Sequence, residues 1–295
     1  MAASQTPLIC VVGETASGKS ALALRLAQQF DGEVICGDSW TVRREMDIGT
    51  AKPTAQDRAL VPHHLLDIVG PDEDFTAAVF KRLAQAAIED ISARGKLPVM
   101  VGGTGLYIDS VLYDFGFLAA GDRGARAELN NLSVTELLKK VHDLGLVTDN
   151  VDTHNKRRLI RLIETDGAIP TRQELRENTF IIGLKTDREI LQRRIISRVD
   201  TMLTDGLEDE VQTLSDRYGW EAEGLKGVGY AQWREYFAGA QSLPETRQKI
   251  IKANLDLAKR QRTWFKRNKS IRWFTTPVKW LDIVDSVTTF LNTGA

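Results

Sequence analysis

Residues 8–30 read LICVVGETASGKSALALRLAQQF, and this stretch decides the fold class. Leu8 to Val12 form an unbroken apolar run, the pattern of a strand buried on both faces of a parallel sheet. Gly13-Glu-Thr-Ala-Ser-Gly18-Lys19-Ser20 then matches G-x4-G-K-[ST], a pattern expected by chance in about one chain in a hundred of this length. From Ser20 to Phe30 helix formers follow with apolar residues spaced near the helical period. Strand, glycine-rich loop and helix in that order make a P-loop, whose backbone N–H groups turn inward on an anion at a helix N-terminus. The loop is expected to bind a phosphate or diphosphate. Gly13, Thr15, Ala16, Ser17 and Gly18 supply the cradle, Lys19 a point charge, and Ser20 a hydroxyl for Mg²⁺.

Outward from the loop, Glu33–Cys36 reads as a second short strand and Phe75–Arg94 as an amphipathic helix. Leu97–Val101 reads as a further buried strand closing on Gly102-Gly103-Thr104-Gly105. Strands alternating with helices predict an α/β fold, a P-loop NTPase-like parallel sheet covered by helices. Residues 118–178 are polar and helix-rich with no convincing strand, and Phe180–Leu184 restores a sheet-like run. The expected organisation is a core of 1–117 and 179–295 with a small helical insertion domain at 118–178.

The chain has 295 residues, 42% hydrophobic and 27% charged, ordinary values for a globular protein that needs no disulfide or structural metal. Collagen-like, disordered and disulfide-rich classes are excluded. No run of ~18 apolar residues marks a membrane span, and the N-terminus lacks a secretory pattern, so a cytoplasmic protein is expected. Cys10 and Cys36 lie in apolar runs and read as reduced core residues. His63 and His64 read as structural or capping residues, since no metal-type spacing of Cys or His occurs. The net charge of −1 hides an uneven distribution, because residues 245–272 hold ten Lys or Arg against two acids. That is either a face for an anionic partner or a solvated helix face.

A P-loop NTPase also needs a carboxylate for Mg²⁺, usually at the end of an apolar strand. The best such strand, Val99-Met100-Val101, ends instead in Gly-Gly-Thr. The nearest carboxylate by pattern is Asp38, after the second strand, where parallel sheets place ligands. It is either a base near the bound anion or a turn residue.

Several segments in fixed order carry a resemblance to a known family. They are the P-loop with Thr15-Ala16-Ser17, Asp38-Ser39, and Met46-Asp47-Ile48-Gly49-Thr50-Ala51-Lys52-Pro53. Pro62-His63-His64-Leu65, Val101–Tyr107, Val228-Gly229-Tyr230, and Ala258-Lys259-Arg260-Gln261 with Trp264 complete the series. In these the chain resembles the tRNA dimethylallyltransferases over nearly its whole length. Four positions depart from the family's usual pattern: Glu14 stands where Pro is common, and Thr41, Arg43 and Glu45 where Gln, Tyr and Gly are. Asn254-Leu255 replaces a common Thr-Arg pair, and the insertion is shorter than usual.

The resemblance implies transfer of a dimethylallyl group from its diphosphate to N6 of the adenine beside the anticodon, with Mg²⁺ as cofactor. It implies Asp38 as the base, and Thr15 and Arg198 beside the leaving diphosphate. Arg198 alternatively belongs to an ordinary exposed helix face. Ser39, Trp40, Thr41 and Thr104 fall to the tRNA side, as do Arg157, Arg158 and Arg161 of the insertion. Those three arginines alternatively pair with Glu164 or Asp152. Ile250/Ile251, Leu257/Ala258 and Trp264/Phe265 recur every seven residues, predicting a helix that buries this stripe and leaves Lys259 and Arg260 to meet phosphates. The expected partners are the tRNA anticodon stem-loop and dimethylallyl diphosphate, with no membrane and a monomeric chain. Three alternatives stand beside this: a prenyltransferase of free AMP, ADP or ATP, a small-molecule kinase, and a weakly active tRNA-binding descendant.

Overall fold

The computed structural model describes residues 6–118, 121–149 and 151–293. They divide into two compact units, one of residues up to 112 together with 175 onward, the other of residues 113–174.

In the larger unit the chain runs β1 (Leu8–Gly13), α1 (Lys19–Gln29), β2 (Gly32–Cys36), α2 (Ala55–Leu60), β3 (His63–His64), α3 (Ala77–Ala93), β4 (Leu97–Gly102) and α4 (Gly105–Leu112). After the second unit, which holds α5 (Arg123–Asn131), α6 (Val134–Asp143) and α7 (Lys156–Glu164), it resumes with β5 (Thr179–Lys185) and α8 (Arg188–Thr204). Then come α9 (Leu207–Tyr218), α10 (Arg234–Phe237), α11 (Leu243–Phe265), β6 (Ile271–Thr275) and α12 (Trp280–Thr293).

The six strands form one parallel sheet in the order β3-β2-β4-β1-β5-β6. The apolar runs of β1, β2 and β4 are buried along their full length, which is why they show no alternation in sequence. On one face Leu22, Ala23, Leu26 and Ala27 of α1 pack with Ile283 and Val287 of α12 against Ile9, Val11, Val99 and Val101. A second core gathers Val199 and Met202 of α8, Val211 and Leu214 of α9, Ile250 of α11, and the fully buried Tyr230 and Trp233. At the carboxyl ends of β2 and β4 the chains converge so closely that a Cβ on Gly102 would collide with the Gly37 carbonyl. Only glycine fits there, and the closeness brings the loops after both strands to one place.

The smaller unit has a helical core of Leu129, Leu137, Val141, Leu159, Ile160 and Leu162. Its helices are capped locally: Asp122 accepts from Ala125 N–H, Ser133 and Glu136 form a capping box, and Asn155 accepts from Arg157 N–H. Residues 113–117, ahead of the expected start at 118, belong to this unit. Gly116 pairs with Thr171 through the backbone, and the Arg172 guanidinium lies 3.8 Å from the Tyr113 ring. Among the described residues no helix is long and apolar enough to cross a membrane.

Candidate active site

Beyond Gly13 the loop doubles back through left-handed conformations at Ala16 (φ 60°) and Gly18 (φ 92°), and α1 begins at Lys19. A β-carbon at φ 92° is strained, which fixes glycine at position 18. The α1 N-terminus has no side-chain cap and no acid in its first turn, so its N–H donors, with the helix dipole behind them, suit an anion. The Lys19 ammonium donates to the Glu14 carbonyl at 3.3 Å. Burial pushes it down to about 8, against the opposing pull of the Asp38 carboxylate, and nearby Arg198 lowers it further. Arg198 reaches across from α8 and donates to the Thr15 hydroxyl at 3.4 Å, and burial lowers its guanidinium too. It is therefore not an ordinary exposed helix residue.

Thr15, Ala16, Gly18, Lys19, Ser20, Asp38, Trp40, Thr41, Arg198 and Gln261 all line one cavity of about 340 Å³, within the usual size range of small-ligand sites. A more open cavity next to the loop, lined by Arg25, Arg194 and Trp280 among others, does not include Asp38. Asp38 Oδ1 accepts the Trp40 N–H at 2.9 Å, so one oxygen shapes the turn while the carboxylate still lines the cavity. The turn and base alternatives are thus compatible. Thr104 Oγ1 accepts the Ser39 N–H at 3.0 Å and donates to the Ser39 hydroxyl at 3.3 Å, tying the loop after β2 to the loop after β4. The buried Thr41 hydroxyl meets no hydrogen-bond partner among the described residues. His63 also lines the cavity with Nδ1 on the Val61 carbonyl at 2.7 Å, and burial lowers its imidazole. His64 is used elsewhere, against Glu33 at 2.6 Å. Burial pushes the Cys36 thiol up to about 12 and raises Cys10 further, consistent with inert core thiols.

The Asp47–Pro53 segment owes its shape to a residue that sequence reasoning missed. The Glu210 carboxylate accepts the N–H groups of Asp47 at 2.9 Å, Ile48 at 2.8 Å and Gly49 at 3.0 Å, and the Tyr230 hydroxyl at 2.6 Å. Lys52 is buried and ion-paired to Asp47 and Asp67, both at 2.6 Å, which occupies Asp47 as a structural acid. Two of the departures in the preceding loop are structural as well. Buried Arg43 donates to the carbonyls of Gly70, Pro71 and Glu73, and Glu45 holds Arg217 and the Tyr218 hydroxyl.

Helix α11 buries Thr246, Ile250, Ala258, Gln261 and Phe265, while Ile251, Leu257 and Trp264 of the expected stripe are half-buried. Gln261 Oε1 accepts the Thr15 N–H at 2.7 Å, and its Nε2 donates to the Gly103 carbonyl at 3.1 Å. One amide thus bridges the P-loop and the loop after β4. Trp264 Nε1 donates to Asp109 at 2.8 Å, fixing the same helix to α4. The helix is less basic in place than its composition: Arg247 pairs with Asp200, Lys249 with Glu235, Lys252 with Asp256 and Arg262 with Glu14. Lys259 and Arg260 are exposed. In the smaller unit Arg157 and Arg158 are exposed, whereas Arg161 reaches Glu164 at 3.3 Å and the Leu118 carbonyl at 2.7 Å. The pairing alternative therefore holds for Arg161.

Against known proteins, the family model described as IPP transferase matches residues 41–268. The chain belongs to the IPP transferase family. It is 40% identical over 292 residues to a tRNA dimethylallyltransferase of Bacillus licheniformis, covering 93% of each. It is 39% identical over 298 residues to one of Streptococcus thermophilus, covering 98% of each and so taking in the P-loop. Among solved structures, the full-length tRNA isopentenylpyrophosphate transferase of Bacillus halodurans superposes with a TM-score of 0.76 at 36% identity, covering 98% of this chain and 97% of that one. A eukaryotic dimethylallyltransferase acting on tRNA, 24% identical, shares the fold with a TM-score of 0.83, covering 98% of this chain and 80% of that one. In this IPP transferase family member, the P-loop and Asp38 line one cavity at the carboxyl end of a parallel sheet.

Proposed function

We infer that the chain transfers a dimethylallyl group from dimethylallyl diphosphate to N6 of the adenine 3′-adjacent to the tRNA anticodon, releasing diphosphate. The observation that carries this is one cavity in which the P-loop and the Asp38 carboxylate face each other, in a chain of this family. Strand β4 ends in Gly102 and offers no strand-end acid for NTP chemistry.

Adenine N6 is a weak nucleophile because its lone pair is delocalised into the ring. Asp38 accepts a hydrogen bond from N6 and takes its proton as the new C–N bond forms. The allylic C–O bond breaks with its electron pair leaving on the diphosphate, whose charge the loop amides, Lys19 and Arg198 stabilise. Thr15, held by Arg198, faces the bridging oxygen. Mg²⁺ fits this site because it keeps its waters and takes few protein oxygens, and the Ser20 hydroxyl and Asp38 carboxylate line the same cavity. Ser20 is the ligand we assign, and the ion supplies charge neutralisation of the diphosphate.

The target adenine leaves its stack to reach Asp38, with Ser39, Trp40, Thr41 and Thr104 contacting it or its neighbours. Lys259, Arg260, Arg157 and Arg158 meet phosphates of the anticodon stem-loop. We take the enzyme to act as a monomer in the cytoplasm, with its tRNA substrate. Labelled dimethylallyl diphosphate offered with tRNA or with AMP tests the proposal. Label at N6 beside the anticodon supports it. Label in AMP alone, or robust tRNA-stimulated ATP hydrolysis, overturns it.

A further inference from the structure

Glu14 is an odd residue to find in an anion-binding loop. Its side chain is buried at 5% exposure, one position after the first P-loop glycine, and its backbone carbonyl accepts the Lys19 ammonium. A carboxylate there repels an incoming diphosphate and draws on the same lysine that must hold it. The charge is met from α11. Arg262 engages both carboxylate oxygens, Nε on Oε1 and Nη2 on Oε2, the latter at 2.9 Å. Such fork-to-fork pairing is the strongest form of ion pair and fixes geometry as well as charge. The neighbouring Gln261 holds Thr15 N–H and Gly103 C=O, and Ala258 of the same helix shares an apolar cluster with Ala16. The P-loop is therefore clamped to α11 at two consecutive residues, Glu14 and Thr15.

We propose that Arg262 is a positioning residue for the donor diphosphate: it acts through Glu14, cancelling that charge and fixing the loop, and touches neither tRNA nor diphosphate itself. The inference rests on the P-loop holding the donor, as proposed above. It separates Arg262 from Lys259 and Arg260, with which it shares a basic stretch of sequence. It also explains how a carboxylate is tolerated in the loop, since Arg262 comes with it.

The consequence is an asymmetry. Loss of Arg262 leaves a buried, unpaired carboxylate beside the diphosphate, whereas loss of both charges leaves two neutral side chains. A double-mutant cycle reads this directly, with donor KM, tRNA KM and kcat measured for Glu14→Gln, Arg262→Gln and the pair. We expect Arg262→Gln to raise donor KM at least tenfold and Glu14→Gln about threefold. The double variant should return to within about threefold of Glu14→Gln, with tRNA KM steady throughout. A double variant as impaired as Arg262→Gln, or a rise confined to tRNA KM, shows that Arg262 contacts substrate and overturns the proposal. So does a donor KM that none of the three moves. If Arg262→Gln does not fold, Arg262→Lys replaces it, since one ammonium engages only part of the fork, and relief by Glu14→Gln is again required. Lys19→Ala in the same assay guards the premise: an unchanged donor KM there refutes the P-loop assignment, whereas a large rise beside an additive Glu14–Arg262 cycle refutes only this inference.

Discussion

Replacing Gln261 with Met keeps the length and bulk of the side chain and removes both of its hydrogen bonds. The structure sets the expected cost. Gln261 is 7% exposed, and it is the partner of a backbone donor, Thr15 N–H, and a backbone acceptor, Gly103 C=O. Each buried group left unsatisfied costs about 1–3 kcal/mol, and water reaching the cavity recovers part of that, so a loss of about 2–4 kcal/mol follows. For a chain of this size that corresponds to a fall in Tm of roughly 3–6 °C. Because Thr15 belongs to the anion cradle, donor KM should also rise, about tenfold. The Gln261→Glu variant sharpens the test. It retains an acceptor for Thr15 but presents a carboxylate oxygen to the Gly103 carbonyl, so it should be at least as unstable as Gln261→Met despite its added hydrogen-bonding capacity. Thermal melts with and without dimethylallyl diphosphate, paired with steady-state kinetics, measure both effects. A Gln261→Met protein within about 1 °C of the parent and with unchanged donor KM would refute the bridge as a structural element of the site.

Three further outcomes follow from the same geometry. Burial pushes the Lys19 ammonium down to about 8, and in the proposed site it is the charged form that meets the diphosphate. Donor affinity should therefore fall as pH rises through 8, and binding at pH 8.5 should take up a proton, visible as buffer-dependent heat in calorimetry; Lys19→Arg should abolish both effects. Lys259→Ala combined with Arg260→Ala should flatten the dependence of log tRNA affinity on log salt by roughly one to two units, while an unchanged slope would make that face merely solvated. Hydrogen bonds from Arg94, and then from His64, hold the Glu33 carboxyl down to about 2. That preference for the charged form contributes roughly 2–3 kcal/mol above the unfolded value near ~4.3 and is lost as pH falls through about 2. Glu33→Gln should thus lower stability at pH 7 and leave little difference from the parent near pH 2, as acid and thermal melts would show.

The features legible in the sequence are those written in contiguous residues. The strand, glycine loop and helix of Leu8–Phe30 lie side by side in the chain and need no distant partner, and the family signatures are likewise short runs. Asp38 was found because a parallel sheet presents its ligands at strand ends. What escaped reading depends on long-range approach. Gln261 meets Thr15 across 246 positions, and Glu210 meets the Asp47–Gly49 backbone across more than 160. The edge strands escaped for a different reason. β3 is two residues long, and β6, Ile271–Thr275, buries only its first residue, so neither shows a strong apolar run. The charge of α11 was overestimated because three of its acidic partners, Asp200, Glu235 and Glu14, lie outside the counted stretch. Arg43 and Glu45 follow closely on Ser39–Thr41, expected on the tRNA side, yet their side chains hold the protein's own backbone and side chains.

The proton acceptor is the centre of the account, and Asp38→Asn tests it most directly. The amide keeps the shape of the carboxylate and its carbonyl can still accept the Trp40 N–H, but it cannot take a proton from N6 at neutral pH. Single-turnover rates at saturating tRNA and donor should fall ~10²–10⁴-fold, the usual general-base contribution, with donor affinity nearly unchanged. A rate within about threefold of the parent would reduce Asp38 to a turn residue and contradict the mechanism.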